Sequence, residues 1–162
     1  DMARAMTQAG ADPAANTQAL ATLSGGSVGE ALRLHLLQGD ALYAEIVGII
    51  DSLPRLDRAR ALKLAERCDQ RADEETRDLV FTLIDAAIVR LARAGATGAT
   101  VDAAPQESTA FARLCPDAAA ARKWAALHSE IGARVRHGRA VNLDPASLVL
   151  DIFFKLQEQA ST

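Results

Sequence analysis

Leu23-Ser24-Gly25-Gly26-Ser27-Val28-Gly29-Glu30-Ala31-Leu32 is the stretch from which the fold of this 162-residue chain is read. An apolar pattern at helical spacing ends at Leu23. Gly25 and Gly26 supply the stop, because glycine enters the left-handed helix cap without steric cost. Ser27 restarts the chain, since its hydroxyl can accept a hydrogen bond from the free amides of the next first turn. Gly29 falls just inside that turn, where a side chain would ordinarily project from the helix start. Helical runs, stops and restarts continue to the end of the chain, and they predict an all-α protein: a small helical unit followed by a multi-helix bundle.

Composition narrows the function classes. The chain is long enough to bury a core as one large or two small domains. Hydrophobic residues make up 49% but aromatics only 4%, which favours helices packed closely through small side chains. The formal net charge of -3 argues against a basic, free-standing nucleic-acid binder. Cys68 and Cys115 are far apart and have no partner at metal spacing; they read as reduced, buried thiols of a cytoplasmic protein. No stretch reads as a secretory leader. The most apolar run, Leu79 to Ala92, is interrupted by Asp85 and Arg90 and is too short to span a bilayer, so no membrane partner is expected.

In chain order, Asp1 to Ala9 reads as helix carrying Met2 and Met6, and Asp12-Pro13 as a cap with proline at the first helical position. Two short amphipathic helices follow, the second running from Ser27 to Leu37 and stopped by Gly39. Asp40 opens a second region, giving expected domains 1–39 and 40–162. Leu42, Ile46, Ile49, Ile50 and Leu53 fall at helical spacing until Pro54 breaks the run. Asp57 caps the next helix, and Asp73 caps a long one, Glu74 to Ala94, with Arg90 and Arg93 in its last turn. Its middle, Leu79 to Val89, is apolar nearly all round, as in a helix buried on more than one side. Gly95 to Gln106 reads as a flexible surface loop. A short helix near Ser108 to Leu114 leads to a long one, Pro116 to Arg139, with Trp124, Leu127, Ile131 and Val135 in one stripe. Asn142-Leu143-Asp144-Pro145 is a turn and cap for a last helix, Leu148 to Leu156, whose apolar surface extends well past half the circumference. Such a helix is either central to the core or half of a subunit contact.

Two of these stretches resemble a known family. Gly26-Ser27-Val28-Gly29-Glu30-Ala31-Leu32 is similar to the G-S-x-R-x-A-L motif that opens a helix in the lid of AAA+ clamp-loader ATPases, with glycine where that family's second-sensor arginine reaches the nucleotide. The G-S-x-G-x-A-L form is similar to its delta-prime branch in bacterial DNA polymerase III, which does not turn over ATP. At the other end, Asn142-Leu143-Asp144 and Leu148-Val149-Leu150-Asp151-Ile152-Phe153-Phe154-Lys155-Leu156 resemble the family's N-L-D turn and L-x-L-D-x-h-h-x-L helix, where h is hydrophobic. The middle of the chain matches only as helices of suitable length. The resemblance implies a lid remnant over 1–39 and a helical collar domain over 40–162. It further implies hetero-oligomeric assembly with delta and gamma/tau subunits for loading the sliding clamp, DNA being reached only indirectly. It makes Leu150, Phe153 and Phe154 candidates for the subunit interface. The collar of an ATP-hydrolysing gamma/tau subunit and an unrelated helical adaptor stand as alternatives.

No catalytic residue, cofactor site or metal site emerges from the residues themselves. His35, His128 and His137 pair with no Cys, Asp or His at ligand spacing and read as core or surface histidines. Asp69, Asp73, Glu74, Glu75 and Asp78 straddle a helix junction, where acids act as caps. Ser24-Gly25-Gly26-Ser27 follows a helix and lacks the lysine of a phosphate-binding loop. Arg134, Arg136, His137 and Arg139, like Arg55, Arg58, Arg60 and Lys63, form basic helix ends, routine when solvated and alternatively a contact to a DNA backbone.

Overall fold

The computed structural model describes residues 17–98 and 101–162, and every regular element in them is a helix. In order these are α1 (Thr17–Leu23), α2 (Val28–Leu36), α3 (Gly39–Asp51), α4 (Arg58–Glu66), α5 (Glu74–Thr97), α6 (Glu107–Leu114), α7 (Ala118–Ala140) and α8 (Pro145–Ala160). The expected helix over Asp1 to Ala9 and the Asp12-Pro13 cap lie outside the described residues.

One local device starts most of these helices. A short polar side chain accepts a hydrogen bond from the amide three residues on, satisfying a donor that has no partner inside the helix. Asp57 takes it from Arg60 at 3.1 Å, Asp73 from Thr76 at 2.7 Å, Asp117 from Ala120 at 2.8 Å and Asp144 from Ser147 at 2.9 Å. Ser27 does the same for Glu30 at a longer 3.4 Å. Before it, Gly25 and Gly26 both have positive φ, 58° and 88°, and the Gly26 amide reaches back to the Ala21 carbonyl, which closes α1.

Three sequence expectations shift. Gly39 does not stop α2; Gln38, at φ 55°, makes the left-handed turn, and Gly39 is the buried first residue of α3. A Cβ there would lie 2.8 Å from Leu34 Cδ2, so the position demands a missing side chain rather than a missing helix. The long helix α5 runs on to Thr97, which leaves Arg90 and Arg93 short of its last turn. Gly95 lies inside the helix rather than ending it, at a point where a Cβ would come within 2.6 Å of the Asp117 carbonyl oxygen. Finally, residues 101–106 are held rather than loose, with Ala103 and Ala104 buried.

Helix α5 lies at the centre, packing on α3, α6 and α7, and its Leu79, Val80, Leu83, Ile84, Ala87, Ile88 and Leu91 are all buried. Asp78 meets Arg139 and Asp85 meets His128, so α5 and α7 run antiparallel. Helix α8 returns antiparallel along α7. Arg134–Asp151 and Glu130–Lys155 pair along that seam, and Leu148 closes so tightly on Gly138 that a Cβ there would come within 2.7 Å of it. The other side of α8 packs on α4. Helices α1 and α2 pack on each other and on α3, and Arg33 of α2 reaches Glu75 at the start of α5 at 3.5 Å. Leu20, Ala31 and Leu34 belong to the same continuous apolar core as Ile46, Ile88, Trp124 and Phe153. Among the described residues no helix is long and apolar enough to cross a membrane.

Candidate functional site

Helix α8 carries the three residues expected at a subunit interface. Asp144 and Pro145 set its first turn, and Leu148, Val149, Ile152, Phe153 and Leu156 are buried between α7 and α4. Phe153 has no solvent exposure, so it serves the core and offers nothing to another chain. Leu150 is half-buried, while Phe154 is 42% exposed. Arg58 of α4 stands over the Phe154 ring, its guanidinium carbon 6.0 Å from the centroid, a cation–π distance. Leu62, one turn beyond Arg58 on the same face of α4, is 49% exposed. Of the three expected interface residues, Phe154 is therefore the one that faces outward, while Leu150 packs partly against the core. Arg58, one of the basic residues already read from the sequence, stands over it, and Leu62 was not singled out as an exposed neighbour.

The start of α2 is open. A Cβ at Gly29 would meet nothing within 4 Å, so the side chain that is missing there leaves free surface rather than a packed contact. Ser24 is nearly buried, its hydroxyl donating to the Ala21 carbonyl at 3.2 Å, and Ser27 is engaged as a cap.

Glu107, by contrast, is fully buried and went unnoticed in the sequence. Its Oε1 accepts from Tyr43 Oη at 2.7 Å and from Arg90 Nε at 2.6 Å, and its Oε2 accepts from the Ala103 amide at 2.5 Å. Arg90 also donates to the Val101 carbonyl at 2.6 Å. Burial, and then the adjacent Glu107 charge, push the Tyr43 phenol far above its ordinary pKa, so it remains a neutral donor. Burial is the largest single influence on Arg90 and works against its charged form, but the hydrogen bond to Glu107 and the further interactions with Glu107 and Tyr43 together outweigh it and raise its pKa. These groups hydrogen-bond one another within the core. The cluster ties α3, α5, α6 and the 101–106 segment together, and its chemistry is structural.

The remaining candidates resolve into contacts. His128 Nε2 lies 2.6 Å from Asp85 Oδ1, a pairing across α5 and α7 that linear spacing concealed; His35 is half-buried and His137 exposed. Asp69 accepts from the amides of Arg71 and Ala72 in a turn, and Asp73 is a cap. Among the described residues no group of three or more His, Cys, Asp or Glu side chains is arranged to hold a metal ion. Of the basic helix ends, Arg134 pairs with Asp151, Arg139 pairs with Asp78 while standing 4.9 Å over Phe81, and Arg60 donates to the Gly48 carbonyl. Cys68 and Cys115 are free and buried; desolvation pushes the Cys68 thiol up to about 11, and Cys115 upward as well, which keeps both protonated near neutral pH. No protein-family model matches the chain, and comparison with curated proteins and with solved structures found nothing similar.

Proposed function

We propose that this chain is the lid remnant and collar of a delta-prime subunit of the bacterial DNA polymerase III clamp loader, and that it acts by assembly rather than catalysis. The observation that carries the reading is the order of two motifs: G-S-x-G-x-A-L at the start of α2, and N-L-D leading into the L-x-L-D-x-h-h-x-L helix α8. Ser27 capping α2 and the vacant surface at Gly29 agree with a lid helix that lacks its sensor arginine. The exposed Phe154, with Leu150, Arg58 and Leu62 beside it, supplies an apolar and cationic face suited to a neighbouring collar. Delta and gamma/tau subunits are the partners this reading names.

Native mass spectrometry of the chain mixed with delta and gamma/tau collar domains tests it directly, a mixed oligomer being the expected result. Phe154→Asp should leave the circular dichroism of the isolated chain unchanged and weaken that oligomer about tenfold or more. No mixed oligomer with the wild-type chain would overturn the assignment. Calorimetric titration with magnesium ATP should show no binding by the chain, or by Gly29→Arg, whose new side chain meets no phosphate cradle.

A further inference from the structure

A second surface lies on the seam between α5 and α7. An open groove of about 460 Å³ runs there, floored by Ala92 and Ala96 of α5 and by Ala121 and Ala125 of α7. Ala96 and Ala125 are exposed. His128 is among the lining residues, its Nε2 2.6 Å from Asp85 Oδ1, while no acidic side chain itself lines the groove. Arg93 stands on one wall and Arg122 on the other, and both are exposed. The antiparallel register set by Asp85 and His128 places Arg93 and Arg122 at nearly the same level along the two helices. Among the described residues neither side chain enters an ion pair.

Alanine floors and arginine walls select for a particular occupant. Small side chains let a third helix approach the two already present to the ordinary interaxial distance of about 8–10 Å. An apolar ridge would fill the trough and be removed from water. The paired cations call for carboxylates on both flanks of that ridge and would orient it. A small polar ligand would find no convergent set of hydrogen-bonding groups to fix it. We propose that this groove docks an acidic amphipathic helix of a partner protein, with its apolar face on the alanines and its carboxylates on Arg93 and Arg122. The site is separate from the α4–α8 surface and does not depend on the clamp-loader assignment.

The test uses the full chain and two labelled synthetic helices of about five turns, each with Leu and Ala along one face. One carries Glu on both flanks, and its twin carries Lys at the same positions. Fluorescence anisotropy should show the Glu helix binding about tenfold or more tighter than the Lys helix. The double exchange Arg93→Glu with Arg122→Glu should reverse that preference. Ala125→Trp, an exposed change whose fold circular dichroism verifies, should abolish binding, and Phe154→Asp should leave it intact. Failure of the Glu helix to bind, equal binding of the twins, or indifference to both the charge exchange and Ala125→Trp would overturn the proposal. So would a chain that self-associates in sedimentation and becomes monomeric with Ala125→Trp, because the occupant would then be a second copy.

Discussion

At Glu107, one carboxylate with no solvent exposure accepts hydrogen bonds from Tyr43, Arg90 and the Ala103 amide. Its removal strands a largely buried guanidinium and two further donors, so the loss far exceeds that of a surface ion pair. Glu107→Ala is expected to lower unfolding stability by about 3–5 kcal/mol in urea denaturation. Replacement of Arg113, which holds the Leu53 and Asp51 carbonyls at the exposed end of α6, should cost far less. Gly95 makes a different demand. Alanine would gain about 1 kcal/mol of helix propensity, but its Cβ would press on the Asp117 carbonyl, whose backbone opens α7. Backbone cannot swing aside as a side chain can, and overpacking costs about 1–3 kcal/mol. The second effect wins, and Gly95→Ala should lower Tm. An unchanged or raised Tm would mean that the α5–α7 approach is looser than described. Neither residue announces itself in the sequence: Glu107 follows Pro105-Gln106 like any surface acid, and its partner Tyr43 lies 64 positions away.

Among the helices, caps tie stability to pH in a direction that can be worked out. The amide and hydroxyl of Thr76 both donate to Asp73, and these bonds hold its carboxyl below the usual pKa. A depressed native pKa means that the unfolded chain binds the proton more readily. The contribution is therefore complete above the ordinary aspartate value of about 3.9 and is lost as pH falls through the lower native value. Asp73→Asn keeps a competent cap without the titrating group. It should flatten the acid limb of stability against pH while leaving neutral stability nearly unchanged. A limb as steep as wild type would assign the acid sensitivity to other carboxylates. The last helix illustrates a harder reading. Seven apolar residues between Leu148 and Leu156 cover more than half of its circumference, so pattern alone does not say which of two adjacent phenylalanines turns inward. The placement of α8 between α7 and α4 buries Phe153 and leaves Phe154 beneath Arg58.

For the molecule as a whole, α1 and α2 rest on α3, while α5, α7 and α8 enclose most of the core without them. Residues 40–162 expressed alone should retain helical circular dichroism and a cooperative urea transition, at a lower midpoint than the full chain. The burial of Leu20 and Leu34, worth about 1.5–3 kcal/mol each, disappears. That loss is partly offset because the residues removed no longer have to be ordered. Residues 1–39 alone should show no stable helix, being too short to enclose a core. A 40–162 chain that binds a hydrophobic dye and melts without cooperativity would show that α1 and α2 complete the fold.

The sequence by itself determined the helices, most of their starts, and the polar devices that begin them. Those depend on a side chain and an amide three residues apart, a separation that hardly changes with the rest of the fold. It also determined that α5 would be buried on several sides, since a helix apolar nearly all round has no other stable place. Only the tertiary structure decided that Gln38 rather than Gly39 makes the turn into α3, that α5 continues through Gly95, and that 101–106 is pinned by Glu107. It alone paired His128 with Asp85 and set Arg93 opposite Arg122 across an alanine floor. Each of these outcomes depends on how closely two helices approach and in which register they lie. That is settled by packing among residues tens of positions apart, where spacing along the chain carries no information.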